Sequence, residues 1–402
     1  MNKNEETFTL KVLLVVFLIL QIITVFFLNE RISELQKTIE SQAGHIAEIK
    51  YQLSQIRSEV TLIESELQFF PVPMQESFTE IYDKVKDSVV VIQGKLLQHT
   101  IFGEEYVSVQ GSGFLYNYSG NIVVITNNHV IDGCINITIS FLSGDAYEAN
   151  IIGKDPYSDV AILSLKAPPQ RLKPLILASS SSLKVGQPVI AVGSPFGLAG
   201  SMTVGVVSQL GRAISESATG GYLIADVIQI SVPINPEDSG GLLLNMIGEV
   251  VGITTAIVKN SQGVGFAIPS DTLLREIPYL IKGEQYPHPW LGVKGVDINL
   301  DIAKAMNINI TYGWLIVDVV SGSPAEKAGL KGGNRIIQIG GTRIKIGGDI
   351  IIMINGTRIR NGNDLSTYLE RNTRPNQQVQ VTIIRSGQQM NVTITLGTRP
   401  SD

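Results

Sequence analysis

The sequence predicts a mainly β protein preceded by a long N-terminal helix, and two observations support this. From Phe78 to Ile257, short runs rich in Val, Ile and Thr alternate with clusters of Gly, Pro, Asn and Ser. Dense strands with frequent turn signals are typical of a β-barrel or a β-sandwich. Before them, an apolar run passes directly into a heptad repeat, which indicates helix. With 402 residues, the chain is expected to hold two folded domains beyond this helix.

Residues 1–29 are predicted to form a cytoplasmic tail and a transmembrane anchor. The apolar run Val12–Leu28 is interrupted only by Gln21 and Thr24. At ~1.5 Å per residue it spans about 25 Å, which is short but sufficient for a thin or locally adjusted bilayer. A cleaved signal peptide is the alternative. The sequence favours an uncleaved anchor, because no small-residue cleavage site follows and the helical pattern continues. A single-pass protein of the cell membrane is therefore expected.

Residues 30–70 are predicted to form a coiled-coil stalk. Apolar residues alternate at spacings of four and three, and eleven of the twelve seam positions are apolar. The seam consists of Leu28, Ile32, Leu35, Ile39, Gln42, Ile46, Ile49, Leu53, Ile56, Val60, Ile63 and Leu67. Isoleucine at both core positions, with one glutamine, favours three or more strands over two. The alternative is a single amphipathic helix folded back on the rest of the protein. Pro71-Val72-Pro73 is expected to end the helix.

Composition excludes some functions. The net charge is −5 and no basic tract occurs, so nucleic acid is not an expected partner. The single cysteine, Cys134, permits no intrachain disulfide and lies in apolar sequence, which indicates a buried structural residue. No cofactor and no metal are expected.

Three short stretches indicate nucleophilic catalysis: Thr126–Val130, Asp155–Ala161 and Asn235–Gly241. They carry His129, Asp159 and Ser239 in that order. A serine hydroxyl needs a base within hydrogen-bond reach, and the base needs an acceptor that holds its tautomer. Each stretch alone is weak, because Ser-Gly-Gly is ordinarily a turn and an aspartate often caps one. Their combination predicts a triad of nucleophile Ser239, base His129 and orienting Asp159.

The other histidines offer no such context. His45 lies in the helical pattern, His99 in a predicted hairpin loop and His288 between prolines in a linker. Only His129 follows an apolar strand and begins a turn of small residues.

The chain resembles the HtrA (Deg) family of serine proteases over residues 76–399. The resemblance rests on the triad stretches and on Gly111-Ser112-Gly113-Phe114, Val192–Leu198, Thr203–Ser208 and Gly263–Pro269. It implies a trypsin-like protease domain over 76–283, with two six-stranded β-barrels and the catalytic residues at their junction, and one PDZ domain over 289–399. It also implies a homotrimer that cleaves unfolded or damaged polypeptide outside the cytoplasm.

The same resemblance places the oxyanion hole at the backbone N–H groups of Glu237 and Ser239. The family has Gly-Asn where this chain has Glu237-Asp238, and proline where it has Leu242. A glutamate has a Cβ that restricts φ, and its charge lies near a developing oxyanion. The hole is therefore expected to be poorly formed at rest, unless its geometry needs no positive φ.

The substrate pocket is assigned by the same resemblance. Its base is at Pro233 and its walls come from the strand that includes Thr254, Thr255 and Ala256. No carboxylate lies at or next to Pro233, so the pocket is expected to take aliphatic residues and to reject Lys and Arg.

A PDZ domain is expected after the linker Pro287–Pro289. The residues Trp290, Leu291, Gly292 and Val293 resemble the loop that captures a C-terminal carboxylate with consecutive N–H groups, beside which the peptide adds as a strand. The alternative is that this domain only packs on the barrels. Asn334–Gly347 reads as an insertion in the domain.

The favoured function is a membrane-anchored, PDZ-regulated serine endopeptidase. The alternative is a catalytically weak or inactive chaperone or sensor of the same fold, which Glu237 favours. A third hypothesis is a structural tether built around the stalk, and the intact triad argues against it.

Overall fold

The computed structural model describes residues 3–69, 77–100, 103–194, 200–215, 223–255 and 263–400. The chain divides into two compact units, Met1–Gln75 and Glu76–Asp402.

The first unit is one continuous helix, α1 (Lys3–Phe69). By length and composition, its stretch Val16–Arg57 contains a segment able to cross a membrane, as also holds for a signal sequence. Seven seam residues of the predicted coiled coil expose between 48% and 63% of their surface: Ile32, Leu35, Ile39, Ile46, Ile49, Leu53 and Ile56. The helix is thus confirmed, and its apolar seam is uncovered within one chain. The coiled coil stays a prediction, and Pro71-Val72-Pro73 lies outside the described residues.

The second unit begins with α2 (Phe78–Val85) and a 3₁₀ turn (Lys86–Ser88), followed by two closed barrels. The first barrel consists of β1 (Val89–Thr100), β2 (Gly103–Tyr118), β3 (Asn121–Thr126), β4 (Cys134–Phe141), β5 (Ala146–Asp155) and β6 (Val160–Leu165). A short helix, α3 (Asn128–Ile131), follows β3. The second barrel consists of β7 (Pro188–Gly193), β8 (Ser201–Ser215), β9 (Leu223–Ile230), β10 (Leu242–Leu244), β11 (Val250–Thr255) and β12 (Gly265–Pro269). Both barrels are six-stranded and share one order of pairing, 1-2-3-6-5-4 in the first and the equivalent in the second. The predicted double barrel is confirmed.

Strand β6 shows why many of these strands are apolar throughout. Ala161 and Leu163 face the interior of the first barrel, while Val160 and Ile162 join a core between the two barrels. Successive side chains of a strand point to opposite faces, so a strand that is buried on both faces cannot alternate with polar residues. The core between the barrels also receives α2 and α4 (Ser270–Leu280), which pack across the junction.

The C-terminal domain is built on an antiparallel sheet. Its strands are ordered β14 (Val293–Asp297), β15 (Trp314–Val319), β18 (Ile350–Ile354), β20 (Gln378–Arg385) and β21 (Gln388–Thr395), with β19 (Thr357–Arg358) beside β18. The helices are α5 (Leu300–Met306), α6 (Pro324–Lys327) and α7 (Gly362–Asn372). Strand β13 (Pro289–Trp290) pairs with β22 (Gly397–Thr398) near the end of the domain. The predicted insertion forms the hairpin β16 (Arg335–Ile339) and β17 (Thr342–Ile346).

Helix α7 docks the C-terminal domain on the second barrel. Arg371 Nε lies 2.6 Å from Asp226 Oδ2 of β9, and Thr367 Oγ1 donates to the carbonyl of Gly211 at 3.2 Å. The amide of Ala213 donates to Asn363 Oδ1 at 3.2 Å. The carboxylate of Asp226 is almost fully buried, so this ion pair is a structural contact and not a solvated surface pair.

We predict that the isolated segment 30–70 is helical and associates into trimers, because only partner helices can cover its seam. Sedimentation equilibrium and circular dichroism test this directly. A stable monomer at concentrations on the order of tens of micromolar would contradict the coiled coil, whereas a dimer would contradict only the stoichiometry.

Candidate active site

The predicted base and its orienting carboxylate meet in the first barrel. His129 lies in α3, directly after β3, and Asp159 lies in the turn between β5 and β6. Nδ1 of His129 is 2.8 Å from Asp159 Oδ2, and the His129 amide donates to Oδ1 at 2.9 Å. The Asp159 side chain is fully buried. This arrangement fixes the ring and its tautomer, and it leaves Nε2 as the nitrogen for proton transfer.

Asp159 has an unusual backbone conformation. Its φ of +58° lies in the left-handed region, which costs a non-glycine residue roughly 1–3 kcal/mol. Its carbonyl accepts from Asn127 Nδ2 at 2.9 Å and from the Asn128 amide at 3.2 Å. Thr255 of the second barrel donates from Oγ1 to Asp159 Oδ2 at 3.4 Å. The surrounding contacts therefore hold a conformation that the residue alone would disfavour.

Ser239 lies at a sharp turn of the second barrel. It follows a 3₁₀ turn, Pro236–Asp238, and it is fully buried. Gly240 after it has φ +87°, and a Cβ there would clash with the carbonyl oxygen of Ser112. The amide of Gly240 donates to the Thr254 carbonyl at 2.9 Å. Only glycine suits this position, which explains the Ser-Gly pair.

Ser112 of β2 fastens this turn to the first barrel. Its amide donates to the Ser239 carbonyl at 2.7 Å, and its Oγ donates to the Glu237 carbonyl at 2.9 Å. The same Oγ accepts from the Ser194 amide at 3.0 Å. Its carbonyl accepts from Thr126 Oγ1, three residues before His129, at 2.7 Å. The structure thus brings all three predicted triad residues to one seam between the barrels.

The predicted oxyanion hole is not assembled in this conformation. The Asp238 amide donates to the Asn235 carbonyl at 2.9 Å, and the Ser239 amide donates to the Pro236 carbonyl at 3.1 Å. The Pro236 oxygen therefore lies where an oxyanion would accept from Ser239. Asp238 holds the turn closed, since its Oδ2 accepts from the Asn235 amide at 3.0 Å. Burial raises the pKa of this Asp238 carboxyl.

The residues assigned to the substrate pocket have other contacts. Pro233 is exposed in the segment that joins β9 to the nucleophile turn. Thr254 Oγ1 donates to the Asp238 carbonyl at 2.7 Å, and Thr255 Oγ1 faces Asp159. Both hydroxyls therefore contact the turns that carry the predicted triad residues and do not face a substrate pocket. Ala256 lies outside the described residues.

The predicted carboxylate-binding loop leads into β14. Gly292 has φ +82°, and a Cβ there would clash with Ser323. Within the described part of the chain, β14 pairs along its sheet with β15 and stands at the sheet's end. A cavity of about 280 Å³ lies beside it, lined by the loop, by Leu365 and Leu369 of α7, and by Leu223 and Arg275 of the barrel domain. The loop, the first residue of β14 and α7 thus line one groove.

Ser112 and Asn127 had no role assigned from the sequence, and Thr255 had a different one. Ser112 and Asn127 lie inside stretches already singled out, Gly111–Phe114 and Thr126–Val130, which was the available signal. Thr255 had been placed with the substrate pocket.

Comparison with known proteins agrees with this layout. A trypsin-like peptidase domain matches residues 111–253, and a PDZ domain matches residues 289–396. A probable periplasmic serine endoprotease DegP-like of Hahella chejuensis is 37% identical over 303 residues, covering 75% of this chain and 59% of that protein. The periplasmic pH-dependent serine endoprotease DegQ of Escherichia coli is 36% identical over 299 residues, covering 72% of this chain and 60% of DegQ. The chain thus spans about three fifths of these relatives.

Solved structures show the same fold. The HtrA-type protease AlgW, in complex with a decapeptide, superposes with a TM-score of 0.62 at 26% identity. The match covers 81% of this chain and 100% of that one. AlgW with a tripeptide matches equally well, with a TM-score of 0.62 at 28% identity.

We predict that Ser112→Ala destabilises the barrel unit by about 1–3 kcal/mol, because it leaves a buried amide and a buried carbonyl without their partner. Thermal unfolding measures the change. Ser108→Ala on the same strand, at an exposed position, serves as the matched control and should leave the midpoint unchanged. Equal midpoints for the two variants would contradict the role assigned to Ser112.

Proposed function

The chain belongs to the HtrA (Deg) family of trypsin-like serine proteases with a PDZ domain, and from this premise we propose that it is a serine endopeptidase that uses Ser239, His129 and Asp159. One observation carries the proposal: the buried Asp159 carboxylate is bonded to Nδ1 of His129, in the seam where the nucleophile turn lies. That arrangement suits a general base and has no evident structural purpose.

The geometry assigns each residue a step. Ser239 Oγ attacks the scissile carbonyl while His129 Nε2 takes its proton, and Asp159 stabilises the resulting imidazolium. The imidazolium then protonates the leaving amine, which leaves an acyl group on Ser239. Water attacks the acyl group through the same base, and the serine is restored. Charge on the tetrahedral oxygen requires N–H donors, for which Glu237 and Ser239 are proposed.

The proposed substrates are unfolded or damaged proteins outside the cytoplasm. A pocket based on Pro233, at or next to which no carboxylate lies, would take aliphatic side chains, which folded proteins mostly bury. The relatives are named as periplasmic endoproteases, which supports this location. We propose that α1 anchors the chain in the membrane and forms a homotrimeric coil.

Regulation is proposed to come through the PDZ domain. A C-terminal peptide would place its carboxylate on the Trp290–Val293 loop and pair with the edge of β14. The groove between that edge and α7 also reaches Leu223 and Arg275, so a bound peptide would contact the barrel domain directly.

We predict that Ser239→Ala lowers peptide hydrolysis by several orders of magnitude and leaves the fold intact, because only binding and oxyanion effects remain. Hydrolysis of unfolded casein by the fragment from residue 76 onward measures this. Labelling of the wild type at Ser239 by a fluorophosphonate, read by mass spectrometry, separates a peptidase from an inactive chaperone. Near-normal turnover in the alanine variant would end the assignment.

Glu237 is proposed to keep the enzyme slow at rest. The turn Asn235–Asp238 has the hydrogen bond of a type I turn, with negative φ at Glu237. Rotating the Pro236–Glu237 peptide by half a turn would give a type II turn and aim the Glu237 amide into the hole. A type II turn requires positive φ at Glu237, where glycine is favoured and other residues pay about 1–2 kcal/mol. A ligand activates the enzyme only if it binds the rotated form more tightly.

We predict that Glu237→Gly raises basal turnover and shrinks the activation by a peptide ligand. The gain could reach about a hundredfold if the resting enzyme lacks one of the N–H donors of the oxyanion hole. Glu237→Ala is the matched control, because it removes the charge and keeps the Cβ. A gain in the glycine variant alone identifies the backbone as the cause. An unchanged or lower rate in Glu237→Gly would show that the glutamate imposes no restraint.

A further inference from the structure

One imidazole joins the PDZ domain to the loop that carries the catalytic aspartate. His288, in the linker, lies with Nε2 at 2.7 Å from Asp155 Oδ2 and with Nδ1 at 3.1 Å from both carboxylate oxygens of Glu370. Asp155 ends β5 and begins the turn to Asp159, while Glu370 belongs to α7. The His288 side chain is 3% exposed. These contacts therefore lie in the interior of the junction between the two domains.

Other residues form hydrogen bonds with the rest of the Asp155–Asp159 turn. Ser158, the immediate neighbour of Asp159, donates from Oγ to Glu276 Oε2 of α4. Tyr157 donates from its hydroxyl to the Pro400 carbonyl at 2.7 Å, and the Arg399 guanidinium lies 3.9 Å from the centre of its ring. Asp155 is thus tied to the linker, Tyr157 to the chain after β22, and Ser158 to α4.

The charges in this cluster balance around the imidazole. Burial opposes a charge on His288, but its hydrogen bonds to Asp155 and Glu370 outweigh burial and raise its pKa to about 10. Burial, with Asp155 nearby, raises the pKa of Glu276 to about 8. Arg275 of α4 lies 3.6 Å from Glu276 Oε1 and 3.9 Å from Glu370 Oε2, and its guanidinium packs on Tyr286. At neutral pH the ring is therefore an imidazolium between two carboxylates.

A metal ion is the rival occupant of this cluster. Ligand atoms of Asp155, Glu276 and His288 lie within 4.8 Å of one another. Both ring nitrogens already face carboxylate oxygens, however, so a metal would have to displace a strongly held proton. The imidazolium serves as the cation of this site.

We propose that His288 and Glu276 are positioning residues for Asp159, so that the geometry of the triad depends on where the PDZ linker lies. The inference rests on the proposed peptidase function. His288 fixes the start of the turn and Glu276 fixes the residue before Asp159, while Asp159 itself has a strained φ. A strained conformation persists only where its surroundings over-determine it. Loosening either contact lets Asp159 relax away from His129.

The test compares His288→Gln with Arg371→Gln in otherwise intact protein. Glutamine can bond only one of the two carboxylates, whereas Arg371→Gln breaks the pair with Asp226 and leaves the Asp155–Asp159 turn untouched. For a short peptide substrate, His288→Gln should lower kcat on the order of ten- to a hundredfold with KM unchanged. The acid limb of its pH–rate profile should move to lower pH, since a displaced carboxylate stabilises the imidazolium of the base less. Arg371→Gln should change neither kcat nor the position of the acid limb.

A second pair of variants, at Glu276, tests the proposal if His288→Gln fails to fold. Glu276→Gln keeps an acceptor for Ser158 and matches the protonated acid in shape, so activity should be retained. Glu276→Ala removes the acceptor and should reproduce the loss in kcat and the shift of the acid limb. Unchanged kcat and pH profile in His288→Gln, or in Glu276→Ala where His288→Gln does not fold, would overturn the proposal. Equal losses in Arg371→Gln, or stoichiometric zinc whose removal lowers activity, would also overturn it. An inactive wild type would instead refute the peptidase function.

Discussion

The active site depends on one strand residue that holds the two barrels in register. Ser112 of the first barrel bonds the carbonyl of Ser239, the carbonyl of Glu237 and the amide of Ser194, all in the second barrel. Through Thr126 it is also connected to the segment that carries His129. The nucleophile and its base belong to different barrels, so their distance is set by this short path and by the apolar core behind it. The same path ends on the carbonyl of Glu237, whose amide is proposed for the oxyanion hole. The register of the two barrels and the geometry of the proposed oxyanion hole are therefore linked through Ser112.

A second constraint acts from the other side of the triad. Asp159 is held in a left-handed conformation, and the turn before it is bonded to the linker and to α4. The linker residue His288 also bonds α7, which lines the peptide groove. We propose that a peptide that shifts α7 would act on the contact between His288 and Asp155, at the start of the turn that carries Asp159. Changes elsewhere in the protein could therefore reach both Ser239 and Asp159. In the proposed mechanism, Ser239 would be affected through the turn that precedes it, and Asp159 through the linker.

Much of this could be predicted from local patterns. Heptad spacing predicted the N-terminal helix, and two of the three motifs pointed to the His129–Asp159 contact that the structure shows, because each signal is contained in a few consecutive residues. The catalytic role of the three residues stays a prediction. The stoichiometry of the stalk is untested. The pocket residues were harder: Thr254 and Thr255 lie on the predicted strand, but which face of that strand meets the catalytic loops depends on register with distant segments.

Long-range pairs explain the other omissions. His288 reads from sequence as a polar residue between two prolines, and its partners Asp155 and Glu370 are far away along the chain. Glu276 reads as a solvent-facing residue of an amphipathic helix, yet it is fully buried because Ser158 and Arg275 meet it there. A charged residue gives no local sign that its partner is supplied by another domain.

The most direct measurement is a crystal structure of the protein after reaction with a fluorophosphonate. The account predicts phosphorus bonded to Ser239 Oγ, with one phosphoryl oxygen accepting from the amides of Glu237 and Ser239, and with the Pro236 carbonyl turned away. His129 should remain bonded to Asp159 through Nδ1. An unmodified Ser239, or an adduct in which the Ser239 amide still donates to the Pro236 carbonyl, would contradict it.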